Sequence, residues 1–209
     1  MSHNELNWLY SEDFAVETST IVRARALSLE YGVDSISPAV GAQMAILAAS
    51  IGAKNIIEVG TGLGVSGLWL LRGAPTANLT SIDVEFEYHD QAKALFADSG
   101  MPHQQLRLIT GYSSDVLPRM NENSYDIVVV DSEPSHLLEN VEHSLRLVRV
   151  GGLVLIPHAL WRGEVSDPAK RGDIPSMYRS VLTLVSESDA VIAALSPAGD
   201  GLLQLSRVS

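Results

Sequence analysis

The chain's 209 residues make one large domain rather than two small ones, and 46% hydrophobic residues are ample for a buried core. Its 14 basic against 25 acidic residues give a formal charge of -11, which disfavours nucleic acid and anionic membrane surfaces as partners. No cysteine occurs, which excludes disulfides, thiolate metal sites and a cysteine nucleophile.

The opening residues carry Glu5, Glu12 and Asp13 with no basic stretch leading into an apolar one, and no run of about 18 apolar residues follows, so a cytoplasmic protein is expected. Ser11, with Glu12 and Asp13 after it, predicts the start of a helix reaching about Tyr31, where Gly32 ends it. Ser37-Pro38 predicts a second helix start, with Val40, Met44, Leu47 and Ile51 at helical spacing before Gly52. Asn55 to Gly60 reads as an apolar strand running straight into glycines, and Val65 to Leu71 as the helix leaving that turn. Strands at 79–83, 106–110 and 125–131 then alternate with helices near 90–97 and 114–120, which implies a parallel sheet. Ile127 to Val130 are apolar at successive positions, as expected of a strand buried on both faces. Leu138, Val141, Leu145 and Val148 form one face of a further helix, which Gly151-Gly152 turns into a strand at 153–156. A polar loop at about 158–173 and a helix near 177–186 lead to strands at 190–195 and 202–206, joined by a connection too short for a helical crossover.

The expected fold is α/β: a Rossmann-like, doubly wound, seven-stranded sheet, mostly parallel, with an antiparallel C-terminal hairpin. N-terminal helices at 1–52 precede a core at 53–209, and nothing divides residues 1–209 into more than a single domain.

Gly60, Gly62, Gly64 and Gly67 fall within eight residues after a strand, where missing Cβ atoms let a ligand approach the backbone. Gly62 to Gly67 fit the dinucleotide pattern GxGxxG literally, and Asp83 stands where a ribose-binding acid belongs, so an NAD-dependent oxidoreductase is one reading. Three features favour S-adenosylmethionine instead. Glu58 would repel a pyrophosphate but complements a sulfonium and an ammonium; about 50 residues of helix precede the first strand; and the terminal hairpin replaces a sixth parallel strand. The plain alternatives are a tight turn for the glycines and a helix cap for Asp83.

With Ile36-Ser37-Pro38, Gly52-Ala53-Lys54-Asn55, Glu58-Val59-Gly60-Thr61-Gly62, Ser66, Ser81-Ile82-Asp83, Val129-Val130-Asp131, Gly151-Gly152 and Leu160-Trp161, nearly the whole chain resembles the bacterial O-methyltransferases related to caffeoyl-CoA and catechol O-methyltransferase. The resemblance implies that Ile36, Glu58, Gly60, Thr61, Gly62 and Ser66 line the methionine and ribose side, that Asp83 binds the ribose hydroxyls, and that Ser113 lies beside the adenine. It places Asp131 and Glu133 near the transferred methyl and the cofactor amine, and it implies a homodimer and a small-molecule acceptor. Tyr112 replaces the acid common just before Ser113, so adenine binding would rest on stacking and backbone contacts.

Metal-dependent relatives add an Asp-Asn pair after the fifth parallel strand to the aspartate at the position of Asp131. Here that pair is Pro157-His158, and Ser132-Glu133-Pro134 replace the usual acidic and lysine residues, so loss of the magnesium site is expected. A base must then take over, and His158 is the candidate, oriented by Asp131 or Glu133. The bland reading packs His158 in its loop. Trp161, Arg162 and Arg171 are candidates to wall the acceptor pocket, or Trp161 simply anchors the loop. His136 and His143 share a helical face expected to meet solvent, Trp8 and Tyr10 read as packing residues, and His89 and His103 receive no role. A ribosomal or transfer RNA acceptor would need a basic face. A catalytically silent cofactor-binding homologue remains the other alternative.

Overall fold

The computed structural model describes residues 3–209, apart from the side chain of Asn4. Among them, β1 (Asn55–Val59), β2 (Asn78–Asp83), β3 (Leu106–Thr110), β4 (Tyr125–Val130), β5 (Val148–Pro157), β6 (Val191–Ser196) and β7 (Leu202–Arg207) form one sheet in the order β3-β2-β1-β4-β5-β7-β6. β1 to β5 are parallel, and β7 is antiparallel to both β5 and β6, as the short terminal connection requires.

Helices cover both faces. On one lie α2 (Ser19–Glu30), α3 (Pro38–Ser50), α4 (Val65–Gly73) and α5 (Phe86–Asp98), on the other α7 (Leu137–Leu147) and α8 (Asp173–Ser186), while α1 (His3–Phe14) flanks α3 and α6 (Ser113–Val116) follows β3. The successive apolar residues of β4 split between the layers: Ile127 and Val129 pack with α2 to α5, Val128 and Val130 with α7 and α8. That two-sided burial is why the strand carries no polar alternation. Among the described residues no helix is long and apolar enough to cross a membrane.

The helix expected from Ser11 to Tyr31 is in fact two, broken at 15–18, and Thr18 rather than Ser11 caps the second by accepting the Ile21 amide. The Ser11 hydroxyl instead donates to Trp8 O inside α1. The break lets α1 fold back so that Glu12 reaches the start of α3, where it accepts the Ala39 amide, the Ser37 hydroxyl and the Gly199 amide. A carboxylate on the first turn of a helix is favourable. Ser37 caps α3 with Pro38 at its first turn, as expected. Tyr10 is exposed rather than packed, and Trp8 is half-exposed with its indole donating to Gly199 O.

Gly151-Gly152 lie inside β5 rather than ahead of it. The pairing of β4 with β5 shifts register between Tyr125 and Ile127, and the bulge is pinned by Asp126, which takes Arg149 on one oxygen and the Lys54 and Asn55 amides on the other.

Candidate functional site

The sheet order reverses between β1 and β4, the position at which open α/β sheets leave a crevice outside their strand ends. The strand ends are level there: Gly60 N–H donates to Ile82 O at 2.8 Å, Asp131 N–H to Val59 O at 2.8 Å and Gly111 N–H to Asp83 O at 2.9 Å. A cavity of about 570 Å³ opens over them, with Gly60, Asp83, Ser113, Asp131, Glu133, His158 and Trp161 in its wall. A cleft of about 110 Å³ continues it inward past Ile36, Thr61, Gly62 and Ser66. The sequence-predicted residues of the donor side thus converge on one continuous space, with a single exception.

That exception is Glu58. It is fully buried beneath the glycine turn, with Ser66 donating to Oε2 at 2.8 Å and Ser81 to Oε1 at 2.7 Å. When Glu58 is ionised, the one proton of Ser81 goes to it, and the Thr61 hydroxyl, 2.5 Å away, donates to Ser81. His89 Nε2–H then donates to Thr61 at 2.9 Å, and the Thr110 hydroxyl donates to His89 Nδ1 at 3.0 Å. A directed chain of donors therefore runs from β3 to Glu58. His89, given no role by the sequence, is the buried link in it, and burial lowers its pKa against the pull of Asp83. Burial pushes Glu58 up to about 7 despite the two hydroxyls, and Asp131 and Asp83 add to the rise. The acid read as the partner of a sulfonium is instead the foundation of the turn. Negative charge in the wall comes from Asp34, Asp83, Glu85, Asp131 and Glu133, and Arg162 is its sole Lys or Arg among the described residues.

Gly60 has φ 97°, and a Cβ there would overlap Asp131 O, so only glycine permits β1 and β4 to end side by side. Asp83 accepts the Gly62 amide at 2.9 Å and the Glu85 amide at 3.0 Å, which holds its carboxylate at the mouth of the turn. The opposite wall, Val33 to Ile36, is fixed by Arg25, which donates to Ile36 O at 2.8 Å and Ser35 Oγ at 3.0 Å while paired with Glu17 at 2.6 Å. Tyr88 lines both spaces and meets Tyr31 edge to face at 6.0 Å. None of Arg25, Glu17 and Tyr88 belongs to a sequence motif; Arg25 on α2 and Tyr88 on α5 come together because those two helices pack on one another.

At the other end of the cavity stands His158, on the first residue after β5, with φ 57°. Its Nε2 lies 3.8 Å from Asp131 Oδ1 and has no hydrogen-bond partner among the described residues, although the atom is buried. Burial raises the pKa of Asp131, His158 opposes the rise, and Asp34 and Asp83 add to it. Trp161 stacks on Tyr178 at 5.7 Å and 27°, giving the cavity an aromatic wall, with the Arg162 guanidinium 5.8 Å from the indole centre. Burial, with Asp131, Asp200 and Glu133 nearby, pushes the Tyr178 phenol above its ordinary value. Arg171 is exposed and outside this wall, whereas His136, expected only to meet solvent, stands on its rim. His143 is half-buried on α7.

The residues present do not suit a magnesium ion. One carboxylate and one imidazole are a poor set for a hard cation that takes oxygen ligands, and Pro157 has no ligating side chain. No group of three or more His, Asp or Glu able to hold a metal occurs among the described residues.

The O-methyltransferase family model matches residues 17–208. A protein of Mycobacterium marinum, provisionally named an O-methyltransferase, is 38% identical over 203 residues, covering 97% of this chain and 91% of that protein. Among solved structures, a Corynebacterium glutamicum protein superposes with TM-score 0.90 at 27% identity, over 100% of this chain and 98% of that one. The Streptomyces achromogenes O-methyltransferase of tomaymycin synthesis, solved in complex with S-adenosylmethionine, superposes with TM-score 0.86 at 22% identity over the whole of both chains, a likeness of fold. The match of a family model over nearly the full length, on a fold whose β7 is antiparallel, places the chain in the O-methyltransferase family.

Proposed function

We propose that the chain methylates a hydroxyl of a small aromatic acceptor with S-adenosylmethionine, without a magnesium ion, and with His158 as the base. The observation that carries this reading is the continuity of the space: its inner end lies on the glycine turn and its outer end on the unpartnered Nε2 of His158.

The lining residues suit the donor. Asp83 has lone pairs left for two ribose hydroxyls, Ser113 lies where the adenine would rest, and Ile36, Thr61, Gly62 and Ser66 line the cleft for the methionine part. Asp131 and Glu133 give the cationic end an acidic surround. Glu58 serves this binding indirectly, by fixing the turn from below. The bound donor supplies an electrophilic methyl on a positively charged sulfur. Trp161, with Tyr178 behind it, offers a flat face for an aromatic acceptor, and Arg162 a cation for an acidic one. As the acceptor oxygen bonds to the methyl carbon, its proton passes to His158 Nε2, and the electron pair of the carbon–sulfur bond stays on the sulfur. Asp131 faces the imidazolium so formed.

An acidic wall repels the pyrophosphate of NAD, and the antiparallel β7 departs from a dinucleotide domain, so both count against the dehydrogenase reading. We propose further, from the family resemblance, a homodimer, and a cytoplasmic location for it. The exposed Tyr10 and Phe14, one turn apart on α1, are apolar surface that a partner copy would cover.

Calorimetry with S-adenosylhomocysteine and with NAD tests the cofactor. Binding of the first and no heat from the second is expected, and the reverse would overturn the reading. Transfer of labelled methyl to caffeic acid and other hydroxylated aromatic acids should persist in a chelator, whereas strict dependence on added magnesium would sink the metal-free mechanism.

A further inference from the structure

His158, Trp161 and Arg162 all have left-handed backbone, with φ of 57°, 42° and 54°. That conformation costs a non-glycine residue about 1–2 kcal/mol and persists only where the surroundings impose it. Here the turn between β6 and β7 imposes it. Asp200 O accepts the Leu160 amide at 2.9 Å, Gly201 O accepts the Ala159 amide at 3.1 Å, and Asp200 Oδ1 accepts the Arg162 amide at 2.5 Å. Gly201 lies so close that a Cβ on it would meet Leu160 N at 2.8 Å. The hairpin turn thus acts as the mould for the segment that carries the base.

The same carboxylate has a second oxygen, and it faces the base. Asp200 Oδ2 stands 3.6 Å from His158 Nδ1, an ion-pair distance longer than a hydrogen bond. Contacts of this kind tighten when a ligand fills a site. The imidazole therefore lies between two carboxylates, Asp131 beside Nε2 and Asp200 beside Nδ1. Which nitrogen carries the proton decides whether the ring can act. Of the two carboxylates, Asp200 is the nearer, 3.6 Å from Nδ1 against 3.8 Å between Asp131 and Nε2, and the oxygen it presents is already aimed by the bond to Arg162.

We propose that Asp200 is the positioning residue of this site: its Oδ2 accepts the Nδ1 proton of His158 and thereby keeps Nε2 bare, facing the cavity. The proposal rests on the reading of His158 as the base. It gives the β6–β7 turn a role that no motif in the sequence marks. It also explains why one carboxylate is shared, since the oxygen that caps the turn at Arg162 sets the direction of the oxygen that faces the ring.

Asparagine at this position keeps a carbonyl oxygen for the Arg162 amide but turns an NH₂ donor toward Nδ1, which inverts the preference of the ring. Nitrogen NMR of ring-labelled protein saturated with S-adenosylhomocysteine, at about pH 8.5 where imidazole is neutral, reads the tautomer directly. The parent should show His158 with Nδ1 protonated and Nε2 bare, and Asp200→Asn should show the opposite. Turnover of caffeic acid, or of whichever hydroxylated aromatic acid the parent methylates, should fall about a hundredfold or more in kcat. KM and S-adenosylhomocysteine affinity should stay within about threefold. Asp200→Ser, which keeps an oxygen for the amide and removes the one facing the ring, should abolish the preference for Nδ1 protonation and lower kcat in the same way if asparagine fails to fold. An unchanged tautomer in the variant would overturn the proposal and leave Asp200 as a turn cap. A switched tautomer with undiminished turnover would instead overturn the reading of His158 as the base.

Discussion

The polar groups beneath the glycine turn are closed on one another, whereas those at the end of β5 are left open. Under the turn, Glu58, Ser66, Ser81, Thr61, His89 and Thr110 satisfy each other in one directed chain. At β5, His158 keeps a buried Nε2 unpartnered between carboxylates at 3.6 and 3.8 Å. A buried polar atom without a partner costs about 1–3 kcal/mol. On the proposed function the difference separates two tasks: a binding surface needs its shape before the ligand arrives, and a base needs an atom kept free for the proton it will take.

The largest break in the closed half is Gly60→Ala. Its Cβ would overlap Asp131 O, and its φ of 97° is hostile to alanine, so a loss of more than about 4 kcal/mol in urea unfolding is expected, with S-adenosylhomocysteine binding abolished. A variant that kept both would show that the β1–β4 junction is looser than its geometry. In the open half, His158→Ala should lower kcat about 10²–10⁴-fold while S-adenosylhomocysteine affinity stays within about threefold. Full turnover by that variant would make the open atom a packing defect rather than a base.

The smallest effect concerns pH. Glu58 sits at about 7 in the fold against an ordinary 4.5, so between those values the folded chain holds a proton that the unfolded chain has lost. Stability therefore falls as pH rises from about 4.5 through 7, by on the order of 3 kcal/mol in all. Glu58→Gln should flatten that slope and be the more stable protein above pH 7. Urea unfolding across the window reads it, and a slope unchanged in the glutamine variant would assign the titration elsewhere.

The same contrast explains what could be read from the chain. Strand order, glycine turn, Asp83 and Ser113 follow one another along β1, β2 and β3, where apolar runs, glycines and acids fall at fixed offsets, and the fold was legible for that reason. Glu58 is legible as an acid but not in its position, because sequence places it before the turn without telling whether its side chain points up into the cavity or down into the core. The break at 15–18 was hidden because its cause, Glu12 reaching Ala39 and Gly199, is a tertiary contact. Asp200 was invisible for a similar reason: β7 brings it beside β5 only once the sheet has formed.

The acidic wall has a consequence for the order of events in a catalytic cycle. Asp34, Asp83, Glu85, Asp131 and Glu133 draw a cationic donor inward. Transfer of the methyl removes the sulfur's positive charge, so the product leaves a site whose field no longer favours it as strongly. The reaction itself releases the grip, and added salt, which screens that field, should narrow the difference in affinity between donor and product.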